Sequence, residues 1–223
     1  MFQEQPPCSE EELVERSLRL EGLSVAQLAA RLSTRIPQHP IQRKGWIGLL
    51  VERALGTTAG SLSAPDFMNL GIELKTLPMK APFRSAESTF VSSIPLLRLH
   101  EQTWETSTCY AKLKRVLWIP IESSSTIDFP YRRFGRPLLW SPSEQQHRVL
   151  ADDWVFLSTV ITTGGLAEVD ARWGEYLQVR PKAANSRASC AVLDEDGCST
   201  RTLPRGFYLR ARFTSMLFSS HAC

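Results

Sequence analysis

The segment Val116-Leu-Trp-Ile-Pro-Ile121 constrains the fold of this chain most, because it carries no charge and is rich in β-branched and aromatic side chains. Such residues fit the pleated, enclosed surface of a sheet, so the segment reads as a buried strand. The elements around it set the class. Residues 9–32 read as two helices, the first capped by Ser9 with Glu10, Glu11 and Glu12 in its opening turn, where the helix dipole favours acids. Ser24 caps the second, with Val25, Leu28, Ala29 and Leu32 at helical spacing. Residues 34–44, holding Pro37 and Pro40, read as a loop. Gly45 to Leu55 reads as a strongly apolar helix, and a Gly/Ser/Thr-rich loop follows.

Strands are expected over Gly71 to Leu77, closed by Pro78, over Thr89 to Pro95, over Tyr176 to Arg180 and over Gly206 to Arg210. Ser143 to Thr159 and Phe213 to Ser220 read as helices. Helices followed by a mainly β centre and then mixed elements favour an α/β fold: a mixed sheet flanked by helices. The length of 223 residues suits one domain, 1–223, perceptible as two lobes whose boundary the sequence does not assign.

Five cysteines with no C-x-x-C pair, and four scattered histidines, give no zinc-ligand spacing. Free thiols in a reducing compartment are the simplest account. The N-terminus lacks a basic-then-apolar leader, and no apolar run approaches the roughly 20 residues that span a bilayer. A soluble cytoplasmic protein without a membrane partner is expected. The net charge of +3 is small, but basic residues cluster: Lys112, Lys114 and Arg115; Arg132, Arg133 and Arg136; and Arg201, Arg205, Arg210 and Arg212. These clusters suit a polyanion, or are solvated faces.

The chemistry concentrates in Asp66-Phe-Met-Asn-Leu-Gly-Ile-Glu73-Leu-Lys75. Alternate side chains of a strand share a face, so Glu73 and Lys75 point one way and Ile72 and Leu74 the other, toward the core. Asp66, just before the strand, can reach the Glu73 face. Two carboxylates and an ammonium converging there suit phosphodiester hydrolysis. Hard oxygen ligands hold Mg²⁺, which activates water and stabilises the transition state, and a lysine can orient the water or offset developing charge. Glu52 joins this group, since a carboxylate in an otherwise apolar helix is costly unless it is paired, metal-bound or at an exposed edge. The D-x6-E-x-K pattern is short, and a strand with a surface Glu and Lys is its ordinary alternative.

Longer blocks carry a resemblance. They are Lys44-Gly-Trp-Ile-Gly48 with Glu52, Asp66-Phe, Gly71-Ile-Glu-Leu-Lys-Thr-Leu-Pro78, Thr103-Trp-Glu-Thr106, and Lys112-Leu-Lys-Arg-Val-Leu-Trp-Ile-Pro120. Pro137-Leu-Leu-Trp-Ser-Pro142, Gly174-Glu-Tyr-Leu-Gln-Val-Arg-Pro-Lys-Ala-Ala-Asn185 and Leu203-Pro-Arg-Gly-Phe-Tyr-Leu209 complete the set. In sequence and spacing the chain resembles the MutH family, the strand-incision endonucleases of methyl-directed mismatch repair.

The resemblance implies a restriction-endonuclease-like mixed central sheet flanked by helices, with two lobes forming a DNA cleft. It implies a Mg²⁺-dependent enzyme, a monomer, that nicks the unmethylated strand of hemimethylated GATC sites in double-stranded DNA. Stimulation by MutL, itself recruited by MutS, is part of the implication. It gives Glu52, Asp66 and Glu73 the metal-site role, Lys75 that of catalytic lysine and Lys112 that of a second lysine near the scissile phosphate. It sets Lys44, Gly45, Arg180 and Lys182 near DNA, Tyr208 near the methylatable adenine, and Phe90 at a base or sugar. Two other readings stay open: a stand-alone restriction endonuclease that cuts both strands, and a DNA-binding repair adaptor whose acidic cluster is structural.

Overall fold

The computed structural model describes residues 5–43, 45–57, 64–81, 83–182, 189–193 and 199–220. In chain order its elements are α1 (Glu10–Leu18), α2 (Val25–Arg31), α3 (Pro40–Arg43), α4 (Trp46–Leu55), β1 (Glu73–Ala81), β2 (Arg84–Ser85), β3 (Thr89–Ser93), α5 (Thr108–Leu113), β4 (Val116–Glu122) and β5 (Leu138–Trp140). There follow α6 (Glu144–Thr162), β6 (Leu177–Pro181), β7 (Cys190–Leu193), β8 (Ser199–Thr202), β9 (Arg205–Leu209) and α7 (Ala211–Ser220). The chain divides into two compact units, Met1–Ala86 with Lys114–Ser141 and Phe218–Cys223, and Glu87–Leu113 with Pro142–Leu217.

The first unit is built on a mixed sheet of order β2-β1-β4-β5, in which β1 and β4 run parallel. The run 116–121 forms β4 as expected, and every residue of it is buried. Leu74, Leu117, Ile119 and Ile121 pack in one core with Leu13 of α1, Leu28 of α2 and Leu50, Val51 and Leu55 of α4. Ser9 and Ser24 cap α1 and α2 as read from sequence, Ser24 in a capping box with Gln27.

Most boundaries shift by a few residues from the sequence reading, and two of the differences have a plain physical reason. Strand β1 runs through Pro78 instead of stopping there. The reason is the side on which the missing donor falls. A strand residue's C=O and N–H point the same way, and the Pro78 carbonyl accepts from Ala86 N, so the absent N–H lies on the side away from β4. Pro120 in β4 does the same, its carbonyl accepting from Gly135 N. Neither proline therefore breaks the shared ladder. The segment 34–44 is also not all loop, because Pro40 opens the short helix α3; proline is at home in a first turn.

The second unit holds an antiparallel sheet of order β3-β9-β6 and the hairpin β7-β8. The long helix α6, capped by Ser143, packs on β6. Asp153 of α6 is buried, and its carboxylate accepts from the backbone N–H groups of Glu175, Tyr176 and Leu177 at 2.7, 2.6 and 2.8 Å. Three donors converging on one carboxylate fix where β6 begins. From the other side Arg210 donates to the carbonyls of Gly174, Trp173 and Ala171 at 2.9, 2.7 and 2.9 Å. Among the described residues, no helix is long and apolar enough to cross a membrane.

Candidate active site

Asp66, Glu73 and Lys75 lie at the start of β1. Phe67 and Ile72 form a bridge, with Phe67 N donating to Ile72 O at 2.9 Å. The intervening turn closes through Gly71, whose φ of +66° is one that glycine adopts without the steric penalty of a side chain. This turn lays Asp66 alongside β1, where its Oδ2 accepts from Leu74 N at 2.8 Å.

Glu73 is the first strand residue and is 1% exposed. Lys75, two residues on and on the same face, donates from Nζ to Glu73 Oε1 at 2.5 Å. The register sets that face beside Val116 and Trp118 of β4, while Leu74 lies beside Leu117 in the core. The alternation expected from sequence is therefore present.

Glu52 stands half-buried on α4, the helix packed against β1. Its Oε1 lies 3.7 Å from where a Gly48 side chain would begin. Gly45 occupies the N-cap of the same helix, and Lys44 lies outside the described residues. Glu52, Asp66, Glu73 and Lys75 all belong to the first unit. Among the described residues, no three His, Cys, Asp or Glu side chains meet as a ready-made metal cluster. The donor set is nevertheless of the hard-oxygen kind that Mg²⁺ selects. The buried Glu73 carboxylate is partnered by the Lys75 ammonium, as a carboxylate withdrawn from water requires.

Lys112 is in the last turn of α5, in the second unit, half-buried. The same unit carries Phe90, Arg180 and Tyr208 on the sheet β3-β9-β6, and Lys182 just after β6. Phe90, Tyr208 and Gln178 sit side by side in register across the three strands. The rings of Phe90 and Tyr208 meet edge to face, with centroids 5.3 Å apart. Gly206 leaves room for this, since a side chain there would begin 2.8 Å from the Phe90 ring. Lys182 Nζ lies 3.8 Å from the Phe90 ring centroid and 3.0 Å from Ser93 Oγ. Burial raises the Tyr208 phenol above its ordinary value, and the positive charge of Arg180 pulls the other way. Arg180 itself is exposed. Gln178 donates from Nε2 to Ser88 Oγ at 2.7 Å, and Arg180 Nη1 lies 3.4 Å from the same oxygen.

The basic clusters are only partly available to a polyanion. Arg115 pairs with Glu10. Arg133 donates to Gly22 O and Arg132 to Ile127 O. Arg210 holds three carbonyls, as described, and Arg212 donates to Glu175 O. These side chains build the fold, which the count of arginines does not reveal. Ser88, Gln178 and Asp153 are polar residues of the second unit that sequence reasoning passed over. The i, i+2 spacing of Gln178 and Arg180 on one strand face is the available signal for Gln178; for Ser88 and Asp153 there is none.

A carboxylate and a lysine on β1, with Asp66 laid alongside the strand, are residues of the kind that suit phosphodiester hydrolysis, the chemistry of nucleases. Comparison with known proteins sharpens this. A family model described as DNA mismatch repair enzyme MutH matches residues 55–153. The chain is 46% identical over 216 residues to the DNA mismatch repair protein MutH of Escherichia coli strain K12, covering 97% of this chain and 94% of that protein. The figures are the same for the DNA mismatch repair protein MutH of Escherichia coli O9:H4 strain HS. The chain belongs to the MutH family, the DNA endonucleases of mismatch repair.

Proposed function

We propose that the protein nicks the unmethylated strand of hemimethylated GATC sites, 5′ to the guanine, in a Mg²⁺-dependent reaction of methyl-directed mismatch repair. The observation that carries this reading is the Asp66, Glu73 and Lys75 set at the head of β1, in a chain 46% identical to MutH relatives over 97% of its length. Asp66 and Glu73, with Glu52, would hold the metal. When bound, Mg²⁺ polarises the scissile phosphate and acidifies a water.

Around it, Lys75 aims its ammonium at the reacting centre from the Glu73 side, where it orients water and offsets charge on the phosphate oxygens. Lys112 is assigned a second contact near the scissile phosphate. Lys44, Gly45 and Lys182 approach the backbone. Arg180, whose planar fork matches guanine O6 and N7, reads sequence. Phe90 meets a base or sugar, and Tyr208 stands near the adenine whose methylation decides the strand. On this reading the two units are two lobes of one endonuclease that both touch DNA, and the working enzyme is a cytoplasmic monomer. MutL stimulates it, with MutS acting through MutL.

The test is nicking of GATC duplexes methylated on neither, one or both strands, with the break mapped on each strand. Single-strand breaks confined to unmethylated GATC support the proposal. Double-strand breaks at saturating enzyme would favour a stand-alone restriction endonuclease, and metal-independent binding without cleavage would favour an adaptor.

A further inference from the structure

Sequence reading by an arginine depends on how firmly its fork is held, because a guanidinium on a flexible stem contacts phosphates and wrong bases almost as readily as the right one. Arg180 is exposed near the end of β6. Its neighbour on the same face, Gln178, is 5% exposed, and a buried amide N–H requires an acceptor. The acceptor is Ser88, which precedes β3 and is half-buried. Strand β9 separates β3 from β6 in the sheet, so the Gln178–Ser88 bond of 2.7 Å reaches across β9 beside Tyr208. The same serine oxygen lies 3.4 Å from Arg180 Nη1. A hydroxyl oxygen has two lone pairs, and these two donors can take both.

We infer that Ser88 is a positioning residue for base reading: its hydroxyl clamps Gln178 and Arg180 across β9, so that the Arg180 fork and the Tyr208 ring are held in one fixed relation. This rests on the role proposed above for Arg180. Ser88 belongs to the second unit and the carboxylates and Lys75 to the first, and its removal is expected to alter which sequences are cut more than how the phosphodiester is cleaved.

The experiment measures kcat and KM for nicking of a GATC duplex and of duplexes with one base of the site changed, in the full-length protein with Mg²⁺. The variants are Ser88→Ala, Ser88→Cys, Ser88→Thr and Arg180→Ala. Cysteine keeps the size of serine but is a weak acceptor, so it serves if alanine fails to fold.

Ser88→Ala and Ser88→Cys are expected to lower the ratio of kcat/KM on the cognate to the altered sites about tenfold, a share of what one base contact contributes. Cognate kcat should stay within about threefold, and Ser88→Thr, which restores the hydroxyl, should restore the ratio. A folded Ser88→Ala or Ser88→Cys with the wild-type ratio, while Arg180→Ala lowers it, overturns the inference. A lowered ratio that threonine does not restore also overturns it, since packing would then be the cause. If Arg180→Ala leaves the ratio unchanged as well, the reading of Arg180 falls and takes the inference with it.

Discussion

Lys75 Nζ sits 2.5 Å from Glu73 Oε1, with the lysine side chain 15% and the glutamate side chain 2% exposed. A carboxylate so withdrawn from water depends on nearby positive charge. Lys75→Ala should therefore act twice. Nicking should be abolished, and the unfolding free energy should fall by about 3 kcal/mol, the order seen when one member of a buried pair is removed. Mg²⁺ should then raise the melting temperature of the variant more than that of the wild type, because the cation replaces the missing charge. Calorimetry with and without Mg²⁺ checks this; an equal increment in both proteins would mean that no metal reaches Glu73.

Asp66 separates structure from chemistry. Its Oδ2 accepts from Leu74 N, a bond that an asparagine oxygen can keep. Asp66→Asn should fold with stability within about 1 kcal/mol of wild type and bind GATC duplex in Ca²⁺ or metal-free buffer, yet nick no strand. Asp66→Ala should also lose the Leu74 contact, at about 1 kcal/mol. Gel-shift and nicking assays on the same preparations decide it, and an asparagine variant that nicks at the wild-type rate contradicts the metal assignment.

How far the sequence reveals the fold and site depends on the range of the interactions involved. Local signals are legible. Ser9, Ser24 and Ser143 announce helices because capping bonds reach only three residues, and the alternation in Glu73-Leu-Lys75 gives both faces of β1. Relations between distant segments are not. Pro78 looks like a strand end until the carbonyl that shares its side is located. The arginines of 201–212 look like a DNA-binding stripe until Arg210 is found bound to the backbone of residues 171–174. The Ser88–Gln178 bond joins residues 90 positions apart, which no local pattern encodes.

The division of the basic residues has a measurable consequence. Lys182→Ala should reduce the log–log slope of DNA affinity against salt by about 0.9, as one phosphate contact is lost. Arg210→Ala should leave the slope near the wild-type value while lowering the melting temperature, since it frees three carbonyls that hold the chain before β6. Titrations at several salt concentrations read the first effect and thermal unfolding the second. A reduced slope with unchanged stability in Arg210→Ala would return that residue to the DNA surface.

Strand choice is the role proposed for Tyr208. Discrimination of an N6-methyl group requires a close side chain, because the group is small. Tyr208→Ser should still nick GATC but lose roughly ten- to a hundredfold in the rate ratio between unmethylated and fully methylated sites. Burial holds the phenol pKa above its ordinary 10.0, so the neutral hydroxyl persists on the alkaline side. The ratio in the wild type should therefore be flat between about pH 7 and 9. A ratio that drops within that window, or is unchanged in an active Tyr208→Ser, would remove Tyr208 from this role.

The central claim is tested most directly by one incubation: purified protein, a duplex with a single GATC site methylated on one strand and labelled at both 5′ ends, with and without Mg²⁺. The account predicts one break, in the unmethylated strand 5′ to the guanine, only when Mg²⁺ is present. Cleavage of the methylated strand at an equal rate, or the same break without a divalent ion, would contradict it.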